Sequence, residues 1–224
     1  MIPGELKVVD DVPGAFTEHV IAAFTGRVDE FFTIALSGGN TARRCYQQLA
    51  DQGAEAIDWW AVDVYWGDER CVPPDSPDSN ERLVREALLE RVGAAHEVHP
   101  MRCSDGVEPY QLRVGDLGRI DVVHLGLGPD GHTASLFPES QALQAEPGRL
   151  VVFNDDPSGH NPHRRMTFTF AAIARARVVL VTVEGEEKRA ALQAIADGAD
   201  LPASHINADR IIWLVDPAAA PRVP

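Results

Sequence analysis

Short runs of consecutive apolar residues alternate along this chain with amphipathic stretches of helical period. The apolar runs read "FTIALSGG", "VDVYWGDER", "IDVVHLGLG", "RLVVFND", "ARVVLVTVEG" and "RIIWLVD". Their shortness and their content of β-branched and aromatic residues predict strands that are largely buried. Between them, "TARRCYQQLADQ", "SNERLVREALLERV" and "EEKRAALQAIADG" predict helices. Strand and helix in alternation predict an α/β fold on a mainly parallel sheet flanked by helices. No repeat, low-complexity tract or flexible linker divides the sequence, so a single domain over residues 1–224 is expected. The stretch "DDPSGHNPHRR", from Asp155 to Arg165, is polar and broken by proline and glycine, and is predicted to be a surface loop.

Composition narrows the possible partners. With 224 residues, 45% of them hydrophobic, the chain can bury a sizeable core. A formal net charge of -14 argues against nucleic acid as a partner. It leaves small anionic substrates open, because a pocket needs only local positive charge. No apolar stretch approaches the roughly 20 residues of a membrane span, and the opening "MIPGELKVVDD" has no signal-peptide character. A cytoplasmic protein with no membrane partner is therefore expected. Cys45, Cys71 and Cys103 are odd in number and far apart, and are read as reduced thiols within the packing rather than as a disulfide framework or a zinc site.

In an open α/β sheet, ligands collect where strands end and helices begin. One such place is "ALSGGNTARRCYQQL". There Ser37, Gly38 and Gly39 leave a strand, and Asn40 and Thr41 enter a helix. Two readings stand: a phosphate cradle of backbone N–H groups at a helix N-terminus, or a tight turn with Asn40 or Thr41 as the helix cap. A second is "WGDERCVPPDSPDSNERL", where Asp68, Glu69 and Arg70 end a strand and Ser79 and Asn80 open a helix. Adjacent opposite charges form either an internal ion pair or a solvated face, unless a cleft gathers them. A third joins "RRMTFTF" to "VEGEEKRAAL" and offers Arg165 and Lys188 as anion ligands. The pairs His96/His99 and His160/His163 share the spacing H-x-x-H but have no obvious third ligand nearby, and are read as surface histidines.

The stretch "HLGLGPDGHTASLFP" carries Gly126, Gly128 and Gly131 in the G-x-G-x-x-G spacing of a dinucleotide-binding turn. Two features oppose that reading. Asp130 would set a carboxylate beside a diphosphate, and Pro138, seven residues after Gly131, forbids an uninterrupted helix there. Asp155 does stand roughly where a ribose-binding acid is sought, so an oxidoreductase remains an alternative. What the turn presents instead is Asp130 and His132, a carboxylate next to an imidazole suited to proton transfer near neutral pH.

These residues resemble the 6-phosphogluconolactonases, within the wider glucosamine-6-phosphate isomerase/deaminase superfamily. The matching pieces are "LSGGNT", "WGDERCVPPDSPDSN", "GLGPDGHTASLFP", "RMTFTF", "VEGEEK" and "LPASHINADRIIWLVDPAAA", in the family's order from about Leu36 to Ala220. Asn40 and Ala42 depart from the family's usual Ser or Thr and Pro in the first piece. Where deaminases resemble "DGHIAFNEP", this chain has "DGHTASLFP", with Phe137 in the place of their catalytic glutamate. The resemblance implies a modified Rossmann-like fold and hydrolysis of 6-phospho-D-glucono-1,5-lactone to 6-phospho-D-gluconate, in the oxidative pentose phosphate pathway. It implies no metal and no organic cofactor. His132 would act as general base, with Asp130 orienting it. Arg70 would contact the substrate as a fixed cation, with Asp68 beside it. Ser37, Gly38, Gly39, Asn40 and Thr41, with Arg165 and Lys188, would hold the phosphate, and Arg70 and Lys188 can exchange tasks. A sugar-phosphate isomerase or deaminase, or a non-catalytic sugar-phosphate-binding protein, is the alternative. A sensor of that last kind would carry a basic DNA-binding helix-turn-helix, and none precedes Leu36.

Overall fold

The computed structural model describes residues 1–222. In chain order its strands are β1 (Glu5–Val8), β2 (Phe32–Leu36), β3 (Val62–Trp66), β4 (Asp68–Arg70), β5 (Glu97–His99), β6 (Ile120–Gly126), β7 (Val151–Asn154), β8 (Arg165–Phe168), β9 (Ala176–Val183) and β10 (Arg210–Val215). Seven of them make a sheet in the order β1-β10-β9-β6-β2-β3-β5, and every pairing in it is parallel. The helices are α1 (Val12–Thr25), α2 (Asn40–Gly53), α3 (Asn80–Val84), α4 (Glu90–Val92), α5 (Val107–Asp116), α6 (Phe170–Ile173) and α7 (Arg189–Ala196). The sheet carries the hydrophobic core: all five residues of β2 are buried, as are Ile120 to Leu125 of β6. This is the single-domain α/β architecture on a mainly parallel sheet expected of alternating strand and helix, in the Rossmann-like form that the family resemblance implies. No helix among the described residues is long and apolar enough to cross a membrane.

Local chemistry starts the helices where the pattern places them. The Ser79 hydroxyl accepts the Arg82 N–H at 3.2 Å and caps α3. That helix then widens into one π turn over Arg85–Leu89 and closes as α4. The predicted "EEKRAALQAIADG" helix begins as a tight turn at Glu186–Lys188 and continues as α7. The polar stretch after Asn154 is a loop as far as Arg164, but Arg165 is not part of it: it opens β8 and is buried.

Three departures from the sequence reading have physical causes. The run "VDVYWGDER" is not one strand. It breaks at Gly67, where the chain leaves the large sheet and starts a second, antiparallel sheet in the order β4-β8-β7. "RLVVFND" therefore belongs to that small sheet as well. Its apolar run marks burial and does not say which sheet does the burying. Secondly, the sequence reading does not include β1, α1, β5, α5 or α6. β1 is four residues long and half-exposed, and α1 carries Pro13 and Gly14 in its first turn, which is tolerable only at a start held by Asp11, whose carboxylate accepts the Gly14 N–H at 3.0 Å. Thirdly, the cysteines are not all thiols. Cys71 and Cys103 form a disulfide, their Cα atoms 5.3 Å apart across 32 residues of sequence, and only Cys45 is free. Separation along the chain said nothing here, because β4 leaves the sheet on the same side as the turn after β5.

Candidate active site

Strands β2 and β6 are neighbours, and from them the strand order runs outward in opposite directions, through β3 on one side and β9 on the other. A crevice forms beyond the carboxyl ends of strands at such a switch point. Here those ends are Leu36, which leads into Ser37, Gly38 and Gly39, and Gly126, which leads into the turn carrying His132. A cleft of about 280 Å³ lies there, lined by Ser37, Gly38, Gly39, Asp68, Arg70, His132, Arg165 and Lys188 among others. Asn40 and Thr41 do not line it. They border an adjoining pocket of about 190 Å³, which shares Gly38, Gly39 and Lys188 with the cleft.

Asp130 stands behind His132. Its Oδ1 lies 2.6 Å from the imidazole Nδ1 and accepts the His132 backbone N–H at 3.1 Å. With the Nδ1 proton given to the carboxylate, the lone pair of neutral His132 is on Nε2. Burial would raise the Asp130 carboxyl, but the hydrogen bonds and charge of His132 outweigh it and hold the group below its ordinary value. Phe137, fully buried, meets the imidazole ring edge to face at 4.9 Å between centroids.

The glycines of this turn make room for that pair. A Cβ on Gly128 would overlap the His132 ring and the Asp130 carboxylate. Gly131 has φ +84°, which favours glycine, and a Cβ there would run into Leu201. The chain from Leu201 onward closes over the turn, with Ala203 N–H donating to Gly131 O at 3.0 Å. No helix follows Gly131: Thr133 and Leu136 bridge, and the next helical turn begins only at Gln141. The dinucleotide reading is thereby set aside, because the glycines do not lead into the helix that such a turn requires. Ala134, which borders the cleft, also sits at positive φ, +48°, an uncommon conformation for a residue with a side chain and one that tends to occur at functional sites.

The loop after β2 divides its groups between ligand and scaffold. The Ser37 hydroxyl donates to His124 O at 2.8 Å, so its proton is not offered to the cleft. Gly39 precedes α2 with no side-chain hydrogen bond capping the helix, which leaves N–H groups at its start available to an anion. The capping role proposed for Asn40 or Thr41 is not filled by either.

Beneath this loop lies a buried polar chain that the sequence did not reveal. Tyr46 Oη accepts the Ser37 N–H at 2.9 Å and lies 2.9 Å from His124 Nδ1, while His124 Nε2 lies 2.9 Å from Thr182 Oγ1. His124 is completely buried, and burial pushes its pKa down to about 3. A histidine kept neutral in the fold binds fewer protons than it does in the unfolded chain, where its pKa is about 6.5. Its contribution to stability is therefore full above about pH 6.5 and drains away as pH falls towards about 3, by a total on the order of a few kcal/mol. His124→Gln is expected to lose less Tm on acidification from about pH 6.5 to 4 than the wild type does, relative to each protein's own Tm at neutral pH. Equal acid slopes in calorimetry would place the titration elsewhere.

The small sheet supplies the opposite wall. Arg70 and Arg165 are register partners across β4 and β8. Arg165 is buried and gives its Nε to His163 O at 3.1 Å; burial lowers its pKa, yet a guanidinium remains charged at neutral pH. Asp68, also buried, accepts the Ser135 hydroxyl at 2.7 Å and the Asn80 amide at 3.2 Å. Glu69 faces the other way and accepts three N–H groups, from Arg70, Asn80 and Glu81, together with the Ser79 hydroxyl. Burial nevertheless pushes its carboxyl up. In "DER", then, Asp68 and Arg70 border the cleft while Glu69 ties β4 to the start of α3. Lys188 reaches the cleft from the turn before α7, and no ion pair engages it among the described residues. Ser135 and Asn161 also line the cleft, and Asn154 braces Ser135 through its carbonyl at 2.7 Å. Ser135 lies inside the motif "GLGPDGHTASLFP", whereas Asn161 stands in the polar loop and nothing in the sequence marks it. His96, His99 and His163 face separate carboxylates, of Asp63, Glu97 and Asp78, but His99 is buried and so is not the surface histidine expected of it.

Fold and site together define a Rossmann-like α/β protein with an imidazole–carboxylate pair in a cation-lined cleft. The chain belongs to the family described as glucosamine-6-phosphate isomerases/6-phosphogluconolactonase, whose sequence profile matches residues 7–213. It is 40% identical over 207 residues to a 6-phosphogluconolactonase of Nostoc sp., covering 84% of this chain and 83% of that one. The crystal structure of a 6-phosphogluconolactonase from Leishmania guyanensis matches with a TM-score of 0.84 at 26% identity, over 96% of this chain and 97% of that one. A monomeric glucosamine-6-phosphate deaminase shares the fold, with a TM-score of 0.80 at 17% identity over 96% of this chain and 98% of that one.

Proposed function

We propose that this chain hydrolyses 6-phospho-D-glucono-1,5-lactone to 6-phospho-D-gluconate, with His132 as general base. The observation that carries the reading is the Asp130–His132 pair in a cleft whose wall also bears Arg70, Arg165 and Lys188. A lactone carbonyl is already electrophilic, so one positioned base suffices. Nε2 takes a proton from water as the water oxygen attacks C1, and the tetrahedral intermediate collapses with cleavage of the bond from C1 to the ring oxygen. The imidazolium returns the proton to that oxygen. Asp130 holds the ring and supports the transient cation. The sequence draws on no metal and no organic cofactor.

The phosphate is assigned to the end where Gly38, Gly39 and Lys188 continue into the smaller pocket with Asn40 and Thr41. N–H groups at the start of α2 and the ammonium of Lys188, in no ion pair among the described residues, suit a dianion there, although Glu184 and Glu187 also line this pocket. Arg70 and Arg165 add positive charge to the wall of the cleft that His132 also borders. Phosphate recognition is then separable from chemistry. Lys188→Ala is expected to raise KM by about ten- to a hundredfold, as for a lost charge-assisted hydrogen bond, with kcat little changed. Unphosphorylated gluconolactone is expected to be a poor substrate. Steady-state rates on both lactones check this, and equal kcat/KM for the two would remove the phosphate site.

A further inference from the structure

The disulfide lies one residue from the catalytic cleft without lining it. Cys71 directly follows Arg70, and its N–H donates to Arg164 O at 2.8 Å, extending the pairing of β4 with β8. Cys103 sits in the turn Cys103–Asp105. Both are half-buried and border a separate cleft of about 480 Å³, which shares Arg70 with the catalytic one. Arg70 thus forms part of the partition between the two. Its terminal nitrogen donates to Asp78 O at 2.6 Å, and its buried Nε has no hydrogen-bond partner among the described residues. Asp78 belongs to the proline-containing segment that runs from Cys71 to the cap of α3, and its carboxylate also lies 3.1 Å from His163 Nε2. The segment that carries the carbonyl anchoring Arg70 is consequently pinned at one end by the disulfide and at the other by a helix cap.

A chain with a seven-stranded sheet and a large core of its own does not need a covalent staple to fold. The free cysteine, Cys45, is fully buried, and burial pushes its thiol up, so the bonded pair holds the sulfurs open to exchange.

We propose that Cys71–Cys103 is a reversible redox latch on substrate affinity, opened by a dithiol reductant and acting through the position of Arg70. One thiolate of the reductant attacks a sulfur of the pair, the S–S bond breaks, and the other cysteine leaves as a thiolate and takes a proton from water. The second thiol of the reductant then displaces the mixed disulfide and closes its own ring. Two electrons and two protons pass to the protein, which now carries two thiols, and a small disulfide oxidant reverses the exchange. With the bond open, the segment from Cys71 to Asp78 loses its covalent anchor and keeps only hydrogen bonds, among them Cys71 N–H to Arg164 O and Arg82 to Asp75 O, so the carbonyl that holds the Arg70 side chain is held less firmly.

The latch rests on the assignment of Arg70 to the substrate cleft, so the test separates the two. Maleimide labelling of the denatured, unreduced protein is expected to count one thiol, Cys45, and three after dithiothreitol. Reduction of the native enzyme is expected to raise KM for 6-phosphogluconolactone about three- to tenfold, the effect of slackening one anchoring hydrogen bond. kcat should change less, and oxidised dithiothreitol or glutathione should restore the original KM. Cys71→Ser/Cys103→Ser is expected to sit at the reduced KM and to ignore the reductant, and the wild-type cycle gives the answer even if that variant does not fold. Three thiols in the oxidised protein, or an unchanged KM after counted reduction, would overturn the latch. Arg70→Ala measured alongside tells which premise failed. If it raises KM while reduction is silent, the latch alone is lost; if it leaves KM unchanged, the place of Arg70 in the cleft is lost and the latch with it.

Discussion

Replacing His132 with alanine is expected to leave the protein folded and to lower kcat by about 10²–10⁴-fold, the usual contribution of a positioned acid–base group. Substrate affinity should move far less, because phosphate recognition lies in other residues. The imidazole borders the cleft, and its loss leaves the attacking water without a base. Asp130→Asn should cost less: an amide oxygen can still accept the Nδ1 proton and keep the ring in place, but it no longer supports the imidazolium. Rates of a folded His132→Ala protein, followed by acid release above the spontaneous background, check this. Wild-type kcat in that variant would return His132 to a structural role.

Gly128→Ala should be nearly as damaging, although it removes no functional group. The added methyl would occupy the space of the His132 ring and the Asp130 carboxylate, and one or both must move. A displacement of about 1 Å in a catalytic group can cost 10²-fold in rate, and a loss of about that size in kcat is expected. Because Gly128 N–H also donates to His132 O at 2.8 Å, the backbone of the turn should hold while the side chains shift. The Tm should therefore fall much less than the activity. Full activity in Gly128→Ala would mean that the pair tolerates displacement and that its geometry is not what drives the reaction.

Much of this site was legible because its chemistry sits in contiguous motifs. "SGGNT" and "GPDGHTASLFP" each follow a strand, and the strand ends at the switch point of a parallel sheet lie together by topology, while "WGDER" runs from the end of the neighbouring β3 into β4. The buried chain through Tyr46, His124 and Thr182 was not legible, since it joins three elements far apart in sequence, and a histidine inside an apolar run looks the same whether or not it has partners. The disulfide and the small sheet were hidden for a related reason. Both depend on the chain leaving the main sheet at Gly67, and apolar periodicity does not encode which sheet a strand joins. Glu69 illustrates the limit within a motif. Its charge resembles those of Asp68 and Arg70 as a site residue, but alternation along β4 turns it away from the cleft and towards the N–H groups at the start of α3.

The most direct measurement is the rate at which the purified protein hydrolyses freshly generated 6-phosphogluconolactone above its spontaneous hydrolysis, with unphosphorylated gluconolactone beside it and His132→Ala as control. A rate far above background on the phosphorylated lactone, weak on the other and abolished in the variant, is the expected result. Hydrolysis of the phosphorylated lactone at no more than the spontaneous rate, by a protein that is folded and in either redox state, would contradict the proposed activity.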